Sequence, residues 1–242
     1  MRGTLVNAAA VIAGSLIGLC IKKGLNDKIQ ETVTYMLGIT TCVIGLNGIL
    51  STMITVDTST GRLSSSGEIL LLVSLAIGAA IGELLRIEDA LERLGDRIEK
   101  KLGASNFSKG FVSASLLFCV GAMTIIGSIN DGLYHDSTVL YIKSSLDFIA
   151  ALVMASTMGV GVMFASVTVL LYQGALSLGA GFLQGVLTGD LRNQVCMVGY
   201  AIVLCIGVNF FGKIKIRTGN LIPALLIPVV YNVLMMLKIL WQ

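Results

Sequence analysis

Charge is scarce in this sequence: Asp, Glu, Lys and Arg make up 13% of its 242 residues. A soluble domain carries roughly a quarter, because its surface must face water. The deficit excludes a water-facing globule of this size. Histidine occurs once, as His135 beside Asp136 in a polar stretch, where it reads as a solvated loop residue. No HExxH, GxSxG or phosphate-cradling glycine loop is present, so the usual metallohydrolase, serine-hydrolase and nucleotide-binding patterns are missing. No nucleophile–base pair can be assembled within the apolar runs, and the chain is not expected to be an enzyme. The five cysteines (Cys20, Cys42, Cys119, Cys196, Cys205) fall singly in apolar runs without a CxxC pair. They read as small buried hydrophobes rather than as disulfides or metal ligands. No Lys/Arg stripe alternates with aromatics, so nucleic acid is not expected as a partner.

What remains is apolar and rich in small residues. Hydrophobic side chains make up 55%, with 28 glycines against 2 prolines. Helices that pack in lipid favour small residues, which let backbones approach. A spanning helix needs about 20 predominantly apolar residues. The runs of suitable length are Leu5–Ile21, Thr32–Met53, Ile69–Leu85, Gly110–Ile129, Leu146–Leu187, Gln194–Phe211 and Leu221–Leu240. Leu5–Ile21 reads as a retained helix rather than a signal peptide, since only Arg2 precedes it and no small-residue cleavage site stands before Lys22. The run Leu146–Leu187 is too long for one helix. Met158, Gly159, Val160 and Gly161 divide it, as a tight helical hairpin or as a short broken helix leading into a long one. Whether the 144–159 segment fully spans is left open at this point.

Loop charge orients the segments. The stretches Lys22–Lys28, Arg86–Lys109 and Lys213–Arg217 are basic, whereas Ser51–Ser66 and Asn130–Ser145 hold one basic residue each. Counting eight segments puts the three basic loops on one side, as the positive-inside rule requires, with both termini extracytoplasmic. The fold expected is therefore an all-α, polytopic transmembrane helical bundle of about eight segments. Within Arg86–Leu102, Ile87, Leu91, Leu94, Ile98 and Leu102 form a helical stripe, with mixed charge opposite, including the pairs Asp89–Arg93 and Asp96–Lys100. This reads as an amphipathic helix lying on the cytoplasmic membrane surface or capping the bundle.

An internal repeat is expected as well. A shift of 161 aligns Gly18, Gly24, Met36 and Gly38 with Gly179, Gly185, Met197 and Gly199. With one residue inserted, Gly45-Leu46-Asn47 meets Gly207-Val208-Asn209, and Gly67 then corresponds to Gly219. An offset of five segments inverts the second copy, the plan of many secondary transporters. The single membrane domain 1–242 thus divides into a repeat over 1–85, the amphipathic helix 86–103, central polar helices 108–159 and a second repeat over 160–242.

Polar groups at membrane depth are costly and mark function. One set is Thr124, Ser128, Asn130 and Asp131, in a stretch where Gly121, Gly127 and Gly132 suggest a helix end able to unwind. Its hydroxyls, carbonyls and carboxylate are hard oxygen ligands suited to a small cation. The other set is Lys143, Ser144, Ser145 and Asp147, followed by Ser156 and Thr157. Lys143 and Asp147 stand at i,i+4 as an ion pair at the outer helix end, Ser144 or Ser145 as a cap, and Asp147 is assigned to the site. Gln173 and Gln184 are further lining groups, Gly159 and Gly161 join Gly121 and Gly127 as hinge candidates, and Glu83 is expected to pair in the basic loop. Asn7, Asn47 and Asn209 read as interhelical hydrogen-bond glue.

The residues Phe118-Cys-Val-Gly-Ala-Met-Thr-Ile-Ile-Gly-Ser-Ile-Asn-Asp-Gly-Leu133, followed by Lys143-Ser-Ser-Leu-Asp147, resemble the domain-of-unknown-function 554 family of bacterial membrane proteins. Gly3-Thr-Leu-Val-Asn7 and Tyr172-Gln173-Gly174 fit the same pattern, and the likeness covers essentially the whole chain. It implies a multi-pass protein of the bacterial inner membrane and supplies no chemistry. The function expected is a transporter or channel for a small ion or solute, linked to Na⁺ or H⁺. The alternative is a non-transporting scaffold or sensor working through the amphipathic helix. No cofactor is expected apart from a bound Na⁺ at Asp131 and Asp147. The partners expected are the lipid bilayer, the small ion or solute and a second copy in a homodimer, since Gly14/Gly18 and Gly174/Gly181 offer faces for close packing.

Overall fold

The computed structural model describes residues 1–22, 26–56, 61–90, 93, 97, 100, 107–119, 122–181, 189–212 and 214–240. The chain is an all-α membrane bundle. Its helices are α1 (Arg2–Lys22), α2 (Asp27–Met53), α3 (Glu68–Leu85), α4 (Phe107–Cys119), α5 (Ala122–Leu133), α6 (Thr138–Met158), α7 (Gly161–Leu178), α8 (Gly189–Asn209) and α9 (Ile227–Leu240). A 3-10 helix, Thr218–Leu226, leads into α9. Among the described residues, seven helices are long and apolar enough to cross a membrane, and α4 with α5 forms an eighth candidate bent by 63°. In lipid a backbone must satisfy its own polar groups, which is why these apolar runs coil into helices. Their outer faces carry bare leucines, such as Leu72 at 69% and Leu171 at 67% exposure, as lipid contact requires.

Close approaches at glycines show which way the helices run. A Cβ built on Gly3, Gly14 or Gly18 would strike Leu140, the Phe148 carbonyl or the Leu152 carbonyl, so α1 and α6 lie parallel. Along α2, Gly38, Gly45 and Gly48 meet Phe210, Leu204 and Tyr200 in turn, so α2 and α8 are antiparallel. On α3, Gly78 abuts Ala224 and Gly82 abuts Asn220, which makes α3 antiparallel to the 3-10 helix. Phe107 at the start of α4 packs on Gly161 at the start of α7, and Ser115 lies 3.0 Å from Thr168. Further on, Gly132 meets Ser177 near the α7 end. The α4–α5 pair therefore runs alongside α7 in one direction and crosses once, bent in the middle.

Four sequence expectations change. First, the stretch 144–159 belongs to a full 21-residue helix that begins at Thr138. Hydropathy missed the first turns because Lys143, Ser144 and Asp147 are polar; burial of their side chains lets the helix continue through them. Of the two readings of the Gly159 break, the hairpin is the one found. Gly159 has φ 85° and ψ −158°, a conformation that needs glycine, and its N–H still bonds Ala155 O at 3.0 Å. Second, α5 is unbroken helix through Gly127, whose missing Cβ makes room for Leu140. The bend comes earlier, between Cys119 and Ala122, and Gly121 lies outside the described residues. Third, the Ser51–Ser66 loop folds into an antiparallel hairpin of β1 (Ile54–Val56) and β2 (Leu63–Ser65), with Ile54 opposite Ser65.

Fourth, of the two placements expected for the 86–103 segment, its start follows the second and is tied to the bundle. Glu88 is buried, its carboxylate accepts from Gly219 N at 2.6 Å, and its own N–H donates to Asn220 Oδ1 at 2.7 Å. Asp89, expected beside Arg93, pairs with Arg217, as does Glu83 at 2.5 Å. Asn220 also donates to Glu83. Leu91, Leu94, Ile98 and Leu102 of the apolar stripe lie outside the described residues.

Candidate functional site

The sequence places an asparagine two turns into α1 and a lysine and an aspartate one turn apart on α6. Parallel packing of α1 on α6 brings the three together. Lys143 Nζ forms an ion pair with Asp147 Oδ2, and Asn7 Nδ2 donates to the same oxygen at 3.0 Å. All three are buried, at 6% for Lys143, 8% for Asp147 and 0% for Asn7. A charged pair out of water survives only with added hydrogen bonds, and Asn7 supplies one. The i,i+4 ion pair expected of Lys143 and Asp147 is found, and it is buried; Asn7 makes an interhelical hydrogen bond, as expected of it, and its partner is Asp147. Its sequence signal was weak, since one asparagine in an apolar helix carries no partner information.

The pair faces a cavity of about 590 Å³ between α2, the α4–α5 bend and α6. Polar groups on its wall are Thr32, Thr40 and Thr41 of α2, Thr124 of α5, and Lys143 and Asp147. The remaining lining is apolar apart from the tyrosine Tyr200 of α8, with Phe118, Met123 and Leu146 among it. Thr124 is fully buried and its hydroxyl donates across the bend to Phe118 O at 3.2 Å, so this carbonyl released by the break is already occupied.

Asp131 forms a separate centre. Its Oδ1 accepts from Ser137 Oγ at 2.6 Å and its Oδ2 lies 3.0 Å from the Met1 amine. At about 1.5 Å of rise per residue, Ser137 and Asp147 stand about 15 Å apart along α6. Asp131 and Asp147 therefore do not chelate one ion together. Asn130 is half-buried, and its carbonyl closes the end of α5 by accepting from Tyr134 and Asp136. Ser156 is two and a half turns beyond Asp147 and bonds to Val153 O of its own helix at 2.8 Å. Ser144 likewise bonds Leu140 O within the helix rather than capping it. The α6 start is instead capped by Asp136, whose Oδ1 accepts from Thr138 N at 3.0 Å. The Thr138 hydroxyl and N–H hold the Asp136 carboxyl below the usual carboxylate range. Gly161 is a packing position, because a Cβ there would lie 2.1 Å from Phe107 O.

Gln173 and Ser128 lie in the bundle interior at 0% exposure. Neither Gln173 Nε2 nor Oε1 has a partner, and Ser128 Oγ has none either. Thr4, which the sequence reading did not single out, is also fully buried with its hydroxyl unpaired. Gln184 lies outside the described residues. Asn209 clamps its own loop, bonding both N and O of Ile216 at 2.7 Å, and so bridges no helices through those bonds.

Known proteins share this chain over nearly its full length. The family described as "Protein of unknown function (DUF554)" matches residues 2–233. The uncharacterised membrane protein YdfK of Bacillus subtilis strain 168 is 34% identical over 228 residues, 94% of each chain. The uncharacterised protein YqgA of Escherichia coli strain K12 is 26% identical over 232 residues, 93% of each chain. No solved structure matches. With the family match running from the first turn of α1 into α9, and with Lys143, Asp147 and Gln173 all inside it, the chain belongs to the DUF554 family of proteins of unknown function.

Proposed function

We propose that this protein is a proton-linked transporter of a small solute, with Asp147 as the proton-carrying group. The observation that carries the reading is the Asn7–Lys143–Asp147 cluster, buried at membrane depth yet opening onto a cavity large enough for a small molecule. Ionisable residues in such a position are expensive and usually functional. A proton arriving at Asp147 neutralises it and releases the Lys143 ammonium toward the cavity. Coupling by Na⁺ at this carboxylate is less favoured, because a bound sodium ion would compete with an ammonium already attached one helical turn away.

Packing between the two ends of the chain supports an inverted repeat. A Cβ added at Gly45 would stand 2.7 Å from Leu204 N, and one added at Gly207 would stand 2.7 Å from Cys42 N. The two contacts are the same contact read in opposite directions: adding 162 to 45 and to 42 yields 207 and 204. Antiparallel pairs with reciprocal contacts are what a two-fold axis in the membrane plane generates. The scaffold reading receives no such support from the described residues, where Glu88 is buried against the 3-10 helix and Asp89 pairs with Arg217.

The test is proton movement into vesicles that hold the purified protein and a pH-sensitive dye, driven by a potassium–valinomycin potential. Wild type is expected to acidify the vesicles, the proton step at Asp147 proceeding without bound solute. The double variant Lys143→Gln/Asp147→Asn removes both charges and leaves none unpaired. It should slow proton movement by roughly a hundredfold, the scale of losing an acid–base group. Its helical circular dichroism and its elution as a single species should not change. Wild-type rates in that variant would remove the pair from the mechanism.

A further inference from the structure

We infer that a buried file of water connects the outer-face carboxylate Asp131 to Asp147, through a polar junction where α1, α5 and α7 meet against α6. The inference rests on the proton-linked reading above and names the route by which the proton reaches the site.

Of the nine buried polar side-chain atoms without a hydrogen-bond partner among the described residues, five come together from three helices: Thr4 Oγ1 and Asn7 Oδ1 on α1, Ser128 Oγ on α5, and Gln173 Nε2 and Oε1 on α7. All four residues are at 0% exposure. An unpaired buried polar atom costs about 1–3 kcal/mol, so several in one place call for occupants. Contacts place them together. Ser177 Oγ donates to Ser128 O at 2.9 Å, and Gln173 is one turn from Ser177 on the same face of α7. The methyl carbon of Met1 lies 3.4 Å from where a Cβ on Gly174 would stand, and Thr4 is one turn further along α1. Gly3 packs on Ser137, which is hydrogen-bonded to Asp131. Asn7 completes the series, with its amide nitrogen on Asp147 and its oxygen free.

The composition of the junction selects its occupant. Two hydroxyls, one amide and one further amide oxygen offer both donors and acceptors but no net charge. A neutral molecule that both donates and accepts satisfies them, and a buried water takes two to four such bonds. A bare cation would leave the amide N–H groups of Gln173 unpaired. About 15 Å along α6 separates Ser137, which bonds Asp131, from Asp147, too far for direct transfer and suited to a short relay of waters.

The experiment uses the same vesicle assay with variants that keep shape and remove hydrogen bonding. Gln173→Met and Thr4→Val should each lower proton movement by about tenfold or more, while Thr4→Ser, which keeps the hydroxyl, stays within about twofold of wild type. Dicyclohexylcarbodiimide, an apolar reagent for protonated carboxyls that can enter from the cavity, reports on the pair separately. By intact mass it should modify Asp147 equally in wild type and Gln173→Met. Wild-type rates in both Gln173→Met and Thr4→Val would overturn the water route and leave the proton-linked reading standing. No proton movement even in wild type would overturn both. A density map that resolves water and shows this junction dry would overturn the route alone.

Discussion

Two polar clusters hold this bundle, one partly exposed and one buried, and they are built on opposite plans. At the basic-loop end, Glu83, Glu88, Asp89, Arg217 and Asn220 tie α3 and the segment after it to the 3-10 helix. Each hydrogen bond there ends on a named partner, including the backbone N–H groups of Glu88 and Gly219. At the other cluster, Asn7, Lys143 and Asp147 share one oxygen, face a cavity of about 590 Å³, and adjoin polar atoms with no partner. A closed network rigidifies; an open one carries unsatisfied groups that only an occupant can satisfy. The contrast separates structural polarity from functional polarity better than residue type does, since both clusters contain a carboxylate, a base and an asparagine.

Stability measurements in detergent can break that comparison. The largest effect is expected for Lys143→Met alone, which strands the Asp147 charge in the interior and should cost about 3–5 kcal/mol. Replacing both partners, as Lys143→Met/Asp147→Leu, should bring stability back to within about 1 kcal/mol of wild type, because packed apolar groups can substitute for a buried pair. If the double variant is as unstable as the single, the cluster is as structural as the other one. Asn220→Ala comes next. It leaves the Glu88 N–H without its acceptor and should cost about 1–3 kcal/mol, with proton movement per folded molecule unchanged. A loss of flux there would make the basic-loop cluster part of the mechanism. The smallest effect concerns Asp136. Its carboxyl is held below its unfolded-state value, so its contribution is present above about pH 4 and fades as pH falls through the folded-state value. Asp136→Asn should lower the melting temperature slightly at neutral pH, where the carboxylate's contribution is present, and remove its acid-dependent fall.

Much of the architecture was legible in the residues. Apolar runs such as Ile69–Leu85 became helices at nearly the stated limits, because a backbone in lipid has no other way to pair its groups. The Gly159 turn was readable because only glycine tolerates its dihedral angles. Lys143, Asp147, Gln173, Ser128 and Thr124 were recognisable as polar residues in apolar surroundings. Their grouping was not. Asp131 and Asp147 are sixteen positions apart in sequence and fall in different centres, whereas Asn7 and Asp147 are 140 apart and bonded. Thr4 was visible only within the family-like opening Gly3-Thr-Leu-Val-Asn7, since a lone threonine in the first turn of an apolar helix names no partner.

By itself, then, the sequence determined that the chain is a multi-pass helical membrane protein, where its spans lie, and which side chains are costly at membrane depth. Those follow from local chemistry: apolar length, glycine dihedrals and the cost of burying polarity. Only the tertiary structure decided that α1 lies parallel to α6, which places Asn7 on Asp147, and that the α4–α5 pair bends beside a cavity. It also decided that Lys143 is buried with its partner. The reason is physical. Helix–helix register depends on where glycines let two backbones touch, at Gly3, Gly14 and Gly18 against α6, and that is a property of two surfaces together.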